Sequence, residues 1–408
     1  MKLLHTSDWH VGKKIRGHSR ADEHRAVFAE MLSVADTESV DLILVAGDLY
    51  ETAAPTAESE LIVNQALLAL AEVAPVLAIA GNHDNPRRLA AVEPLMSLGR
   101  ITMVAEPRAP KAGGTITLTT DEGTPVQAAM LPFVSQRSIV KAGELMSNAG
   151  FENAQTYGDR MQRVIAALCA DFNADHVNLV LGHAFVHGGS LGGGERPAHL
   201  VDEYALSAVD FPATASYVAL GHLHRPQQML GATAIHYCGS PLQLDFGEQD
   251  QAKQVNVVSL EPGLPAKVEG VQLNGGRRLR TLTGTMSDLA AIAADTESGP
   301  HESDWLRVRV TEPGRAGLAE EVRELLGPGV VDVRVEHQTE VRQTRRAENR
   351  SPRELFVDFL AEAGITDSRL DARFAELYEQ AGSADTEPEP GAVSSEPGAV
   401  SSEPGALL

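Results

Sequence analysis

The chain has 408 residues, 43% of them hydrophobic and 22% charged, with a formal net charge of −22 at pH 7. That composition is ordinary for a globular protein, and the length suffices for two or three domains with full cores. No apolar run reaches the roughly 18–20 residues of a membrane span, and two cysteines, Cys169 and Cys238, without CxxC spacing argue against a disulfide framework or a thiolate metal site.

Met1–Thr6 reads directly as a strand with no apolar leader, so a cytoplasmic, membrane-free protein is expected. The acidic balance opposes a nucleic-acid partner only weakly, because a local basic surface is what matters for DNA. Five of the negative charges (Asp385, Glu387, Glu389, Glu396 and Glu403) also lie in a tail that carries no base.

Lys2–Thr6, Asp41–Ala46 and Val76–Ala80 are predicted strands, rich in Leu, Ile and Val. A helix carrying Val27, Phe28, Met31, Leu32 and Ala35 on one face falls between the first two, and another, around Glu58–Ala71, between the second and third. This alternation predicts a layered α/β domain. Asn85-Pro86 reads as an N-cap followed by proline at the first helical position. Ile101–Ala105, Thr115–Thr119 and Val126–Leu131 are predicted strands, read as an antiparallel section joining the sheet. A helix near Arg160–Phe172 precedes strands at Val177–Leu181, Tyr217–Leu220, Ala234–Cys238, Val255–Leu260 and Lys267–Leu273. Gly188–Gly194 is expected to be a mobile loop at the mouth of a site.

A second unit begins near Asn274. It is predicted as strand Leu279–Gly284, helix Asp288–Ala294 capped by Ser287, strand Leu306–Val310, helix Leu318–Leu326 and strand Val331–Val335. Ser351–Gln380 reads as two short amphipathic helices broken at Gly364. From Glu389 the sequence Glu-Pro-Gly-Ala-Val-Ser-Ser repeats, and Pro and Gly in every copy rule out a helix. The expected division is 1–273, 274–340, 341–382 and a disordered tail at 383–408.

Five polar motifs follow apolar strands: Asp8-Trp9-His10, Gly47-Asp48, Gly81-Asn82-His83-Asp84, Gly182-His183 and Gly221-His222-Leu223-His224. Each alone reads as a turn or a cap. Jointly they place carboxylate, imidazole and amide groups on loops at the carboxyl ends of strands, where α/β layers gather their chemistry. Four of the motifs have a glycine immediately before the polar group, which allows a tight turn and close approach. Oxygen and nitrogen ligands without thiolate suit Mn, Fe or Zn. Two ions about 3.5–4 Å apart, sharing a bridging ligand, can clamp both oxygens of an in-line displacement and acidify a water.

These motifs, in this order, resemble the calcineurin-like metallophosphoesterases. The longer strings His5-Thr6-Ser7-Asp8-Trp9-His10-Val11-Gly12, Gly47-Asp48-Leu49-Tyr50, Tyr217 through Pro226 and Tyr237-Cys238-Gly239-Ser240-Pro241 resemble the SbcD family of nuclease subunits within that superfamily. The match is strong over about residues 1–275 and looser through the small domain and terminal helices.

The resemblance implies an α/β/β/α sandwich with a small α+β capping domain and C-terminal helices. It implies that Asp8, His10, Asp48 and His224 hold a first Mn²⁺, that Asp48 bridges, and that Asn82, His183 and His222 complete a second; Mg²⁺, Fe²⁺ or Zn²⁺ are alternatives. It implies that His83 is not a ligand but protonates the leaving oxygen or steadies charge on the phosphate, tasks suited to imidazole. Glu51 is a candidate to orient His83. Val11 and Tyr50 stand where Leu and Phe are more usual, and neither removes a ligand. The remaining histidines, including His187 beside the glycine-rich loop, are read as structural or surface groups, and Cys169 as helix packing.

Lys13, Lys14, Arg16 and Arg20 follow the first motif, and Arg87 and Arg88 the third. They are candidate contacts to DNA phosphates, the alternative being a solvated surface. Arg307 and Arg309 alternate with apolar residues and project from one face of the small domain's sheet. The resemblance further implies that the helices at 351–380 dock on an SbcC ATPase, after a basic linker of Arg342, Arg345, Arg346 and Arg350, in a heterotetramer that includes a homodimer of this chain.

The expected activity is 3′→5′ exonuclease on duplex DNA ends and endonuclease on single strands and hairpins, in repair and recombination. ATP is left to the partner, since the chain has no Walker A motif. The rivals are a phosphomonoesterase or cyclic-nucleotide phosphodiesterase on the same scaffold, and a metal-free DNA-tethering protein. A protein phosphatase is disfavoured by the missing Asp-Arg-Gly extension and by Asp84, where Glu is typical.

Overall fold

A computed structural model describes residues 1–135, 138–139, 157–195, 205–295, 299–301 and 303–336, together with a few positions between 356 and 374. The basic linker, most of both helices at 351–380, the repeat tail, His199 and His337 lie outside the described residues.

The chain forms two compact units, Met1–Gln338 and Thr339–Leu408. In the second, Phe356 and Phe374 stack face to face at 4.2 Å, and Leu360 is buried.

In chain order, the first unit starts with β1 (Lys2–Thr6), a short ribbon of β2 (Lys14–Ile15) and β3 (His18–Ser19), α1 (Ala21–Thr37), β4 (Leu42–Val45), α2 (Ala57–Val73), β5 (Val76–Ile79), α3 (Pro86–Met96) and β6 (Ile101–Val104). It continues with β7 (Thr115–Thr119), β8 (Pro125–Leu131), α4 (Tyr157–Leu168), β9 (Val177–His183), β10 (Tyr217–Gly221), β11 (Gln227–Met229), β12 (Ile235–Tyr237), β13 (Lys253–Ser259) and β14 (Lys267–Leu273). It ends with β15 (Leu279–Gly284), α5 (Met286–Ala294), β16 (Trp305–Val310), α6 (Leu318–Leu326) and β17 (Val330–Val335).

Two six-stranded sheets, ordered β14-β13-β1-β4-β5-β6 and β11-β12-β10-β9-β8-β7, lie face to face. Strand alternation builds the layers. Leu3, Leu42, Leu44, Leu77 and Ile79 meet Val126, Met130, Leu179, Leu181 and Tyr217 in the dry seam between the sheets. Leu4, Ile43 and Val45 point the other way, under α1, α2 and α3. Val180, Val218 and Leu220 carry α4 on the outer face of the second sheet. The result is the expected α/β/β/α sandwich.

The antiparallel section placed at 100–132 is corrected. Ile101–Val104 pairs parallel to β5, because α3 is a crossover that returns the chain in the same direction. Only β7 and β8 form an antiparallel hairpin, closed by the turn at Thr120–Gly123, and they belong to the second sheet, where β8 runs parallel to β9.

The small three-stranded sheet β15-β16-β17 is parallel, with α5 and α6 packed on it through Leu289, Leu318 and Val322. Here α5 starts a residue pair earlier than predicted. Thr285, not Ser287, is its cap: the hydroxyl accepts from Asp288 N and the Asp288 carboxylate accepts from Thr285 N, a reciprocal box.

The small domain seats on α1 and the loop after β12. Ile15, Phe246, Leu279 and Trp305 share one apolar cluster. Beside it, fully buried Arg20 pairs with Glu23 and donates to the carbonyl of Gln243, while Glu23 accepts from Trp305 Nε1 at 2.9 Å and Arg277 N at 2.8 Å.

Candidate metal centre

The five motifs sit where β1, β4, β5, β9 and β10 end, and the loops after β1 and β4 are laced together. Asp8 N donates to Gly47 O, His10 N to Asp48 O and Val11 N to Leu49 O, each at 3.0 Å. Asp84 staples the third loop to the second: its carboxylate accepts from Gly81 N (2.8 Å), Leu49 N (3.2 Å) and Tyr50 N (3.0 Å). Burial, then the nearby Asp48 charge, raises the Asp84 carboxyl to about 6.

The glycines are steric necessities at three of the motifs. A Cβ on Gly81 would fall on the Asp48 carboxylate, and one on Gly221 on the Ala46 carbonyl oxygen. At Gly47, which adopts φ +87°, it would lie 2.6 Å from His183 Nδ1. Gly182 differs, since its Cβ would come closest to the flexible end of Leu220 at 3.2 Å and otherwise meet Leu131 at ordinary contact distance, 3.7 Å. Asp8, His10, Asp48 and His222 themselves take positive φ of 52°, 48°, 52° and 108°. Such conformations cost about 1–3 kcal/mol each, and persist where surrounding structure over-determines them, as at functional sites.

The side chains converge. Asp48 Oδ2 lies 3.5 Å from both His10 Nε2 and His183 Nε2, between the two sheets' contributions. Asn82 Oδ1 is 2.9 Å from His183 Nε2 and 2.8 Å from His222 Nδ1. Potential ligand atoms of Asp8, His10 and His224 lie within 4.8 Å of one another, as do those of Asp8, Asp48 and His183.

His83 meets the same distance test with His10 and Asp48, so distance alone does not separate it from the candidate ligands. Its ring is held edge-on to His10, centroids 4.5 Å apart, with Nδ1 on the backbone carbonyl of Glu51 at 2.8 Å. Glu51, the candidate to orient His83, thus reaches it through the backbone. Its carbonyl is the group hydrogen-bonded to His83, while its carboxylate accepts from His10 Nδ1 at 3.0 Å and lies 3.9 Å from His83 Nδ1.

The donor set fits a divalent cation. His10 Nε2 is buried with no hydrogen-bond partner and faces the carboxylates. Despite the opposing burial, the Asp48 charge draws His183 up to about 9, and His183 with His10 and His83 holds Asp48 well below the usual carboxylate range. A site this negative, walled from water, favours a cation.

Several groups that support the site had no signal in the sequence. Glu248, fully buried, accepts His224 Nδ1 at 3.0 Å and pairs with buried Lys253 at 2.7 Å. Phe133 lies edge-on to His183 and stacks on His222, centroids 6.3 and 6.4 Å away. Glu195 gathers Gly192 N, Gly193 N and His224 N, which ties the glycine-rich loop to the centre. These residues stand in no strand-end motif; their roles follow from long-range packing. His187 is exposed, its N–H bonded to Leu206 O.

The candidate DNA-contacting cations divide. Lys14 and Arg87 are exposed. Lys13 pairs with Glu51, Arg16 with Asp332 and Arg88 with Glu60. Arg20 is 1% exposed, so it is not a phosphate contact. Arg307 is likewise not a wet sheet face: its guanidinium lies over the Phe246 ring at 4.2 Å and binds Asp332.

Residues 1–226 match the calcineurin-like phosphoesterase family, and residues 276–363 match the type 5 capsule protein repressor C-terminal domain family. The SbcD component of the nuclease SbcCD from Bacillus subtilis is 31% identical over 404 residues, covering 95% of each chain. That of Escherichia coli K12 is 30% identical, covering 76% of this chain and 78% of its own. The chain therefore belongs to the SbcD nucleases of the calcineurin-like phosphoesterases, and is a metal-dependent phosphodiesterase.

Proposed function

We propose that the chain hydrolyses DNA phosphodiesters with two Mn²⁺, as a 3′→5′ exonuclease on duplex ends and an endonuclease on single strands and hairpins, in the cytoplasm and with an SbcC-type ATPase. One observation carries the two-ion reading: the Asp48 carboxylate stands equidistant from an imidazole of each half of the centre. Asp8, His10, Asp48 and His224 would hold one ion, and Asp48, Asn82, His183 and His222 the other. When bound, such ions neutralise phosphate oxygens and lower the pKa of water.

The protein's own groups do the rest. Asp48 is fixed by His83 N–H at 2.8 Å, and Asp8 by His222 N–H and the Ser7 hydroxyl. With Nδ1 of His83 donating to the Glu51 carbonyl, proton exchange with the leaving oxygen falls to Nε2. Lys14 and Arg87 remain the candidates for steering phosphate to the site.

The division proposed is a nuclease domain at 1–273, a capping domain at 274–340, an ATPase-binding region at 341–382 and a tail at 383–408. No described helix is long and apolar enough to cross a membrane. Exposed Leu61 and Leu68 on α2, with Leu95 and Leu98 at the end of α3, support pairing with a second copy through these helices.

The deciding assay offers Mn²⁺-loaded chain, with and without the ATPase partner, a labelled DNA hairpin and a small aryl phosphate ester. Hairpin cleavage that falls at least about a hundredfold in His83→Ala is expected. Turnover of the small ester with no cleavage of DNA under either condition sinks the nuclease reading.

A further inference from the structure

The two halves of the centre are backed by different chemistry. His10 presents Nδ1 to Glu51 Oε2 at 3.0 Å, and Lys13 Nζ holds the other oxygen of that carboxylate at 3.0 Å. His224 presents Nδ1 to Glu248 Oε1 at 3.0 Å, and Lys253 Nζ holds Oε2 at 2.7 Å. Two carboxylate–lysine pairs, drawn from unrelated parts of the chain, thus stand behind His10 and His224, whose ligand atoms lie within 4.8 Å of each other and of the Asp8 carboxylate. On the other half, His183 Nδ1 meets the neutral carbonyl of Ala46 at 2.7 Å, and His222 turns Nδ1 inward to Asn82.

The difference has a physical consequence. Either acceptor fixes the proton on Nδ1 and leaves Nε2 with its lone pair, but a carboxylate also adds negative charge, which raises the basicity of that lone pair. The lysines keep each carboxylate charged and in place. Lys253 further donates to His224 O and Ser240 Oγ, both at 2.9 Å, and Glu248 accepts from Leu244 N at 2.9 Å, so the unit is rigid. Neither glutamate contacts the reacting atoms; both act through a histidine.

We propose that Glu51 and Glu248 are positioning residues which make the subsite of Asp8, His10 and His224 the tighter of the centre's two cation subsites, so that it fills first. The inference rests on the two-ion reading above.

Calorimetric titration of the full chain with Mn²⁺, followed in parallel by the paramagnetic signal of the free ion, tests it. Wild type should bind in two unequal steps. Glu51→Gln and Glu248→Gln should each weaken the first step by about 10–100-fold and leave the second unchanged. Asn82→Ala should do the reverse. Glu248→Gln strands buried Lys253 and could unfold the chain. Glu51, whose side chain is 21% exposed, does not carry that risk, so Glu51→Gln decides. Two steps of equal affinity, or a first step untouched in a folded Glu51→Gln protein, overturns the inference alone. No Mn²⁺ binding by wild type overturns the two-ion reading with it.

Discussion

At the scale of single residues, the ligand types are legible in the sequence and their support is not. Asp8, His10, Asp48 and His224 announce themselves because each stands at a strand end. Glu248 has no such signal. It becomes functional only because a loop 24 residues beyond His224 folds back onto the imidazole. His5 is a structural histidine, and burial, followed by the charge of His236, pushes its pKa from 6.5 to about 3. A group neutral in the folded state and titrating near 6.5 when unfolded favours unfolding as protons are added. Stability from His5 is therefore full above about pH 6.5 and is lost on acidification toward 3, at up to about 1.4 kcal/mol per pH unit. Urea unfolding of wild type and His5→Gln at pH 7, 6 and 5 measures this: the wild-type slope should be the steeper, and equal slopes refute it.

At the scale of elements, the motifs work because β1, β4, β5, β9 and β10 all run to the same edge and turn sharply there. Glycine at 221 is demanded by the Ala46 carbonyl, which already receives His183 Nδ1 at 2.7 Å. Gly221→Ala should lower stability by about 1–3 kcal/mol, or more, since backbone and not a flexible side chain blocks the methyl. Gly182→Ala, facing the side chains of Leu220 and Leu131 and no backbone atom closer than they are, should cost less. Thermal unfolding of the pair separates them, and equal losses would show that the close approach at Gly221 is not what glycine serves. The strands themselves are legible from Leu, Ile and Val runs. What periodicity cannot supply is direction: Ile101–Val104 reads the same whether parallel or antiparallel, and α3 decides it.

At the scale of the whole molecule, the small domain and the nuclease layers share a buried polar seam. Arg20 is its centre, paired with Glu23, which also receives Trp305 and Arg277. Removing one partner of such a pair leaves an uncompensated charge, so Arg20→Met should destabilise the chain by about 3–5 kcal/mol in urea unfolding while leaving the DNA affinity of the folded protein unchanged. A stable variant with weakened DNA binding would return Arg20 to the phosphate-contacting role that its place after Lys13 and Lys14 suggests. The same seam converts Arg307 from a solvated residue into one stacked on Phe246, two residues before Glu248.

Local order was enough to determine the chemistry: apolar strands followed by Asp, Asn and His, with glycine before four of the five groups, state an oxygen- and nitrogen-ligated metal site wherever they fold. Partnership was decided only in three dimensions. Which carboxylate backs which imidazole, which arginine is buried and which sheet takes each strand depend on contacts between residues far apart in the chain. A pattern of neighbours in sequence carries no information about those contacts.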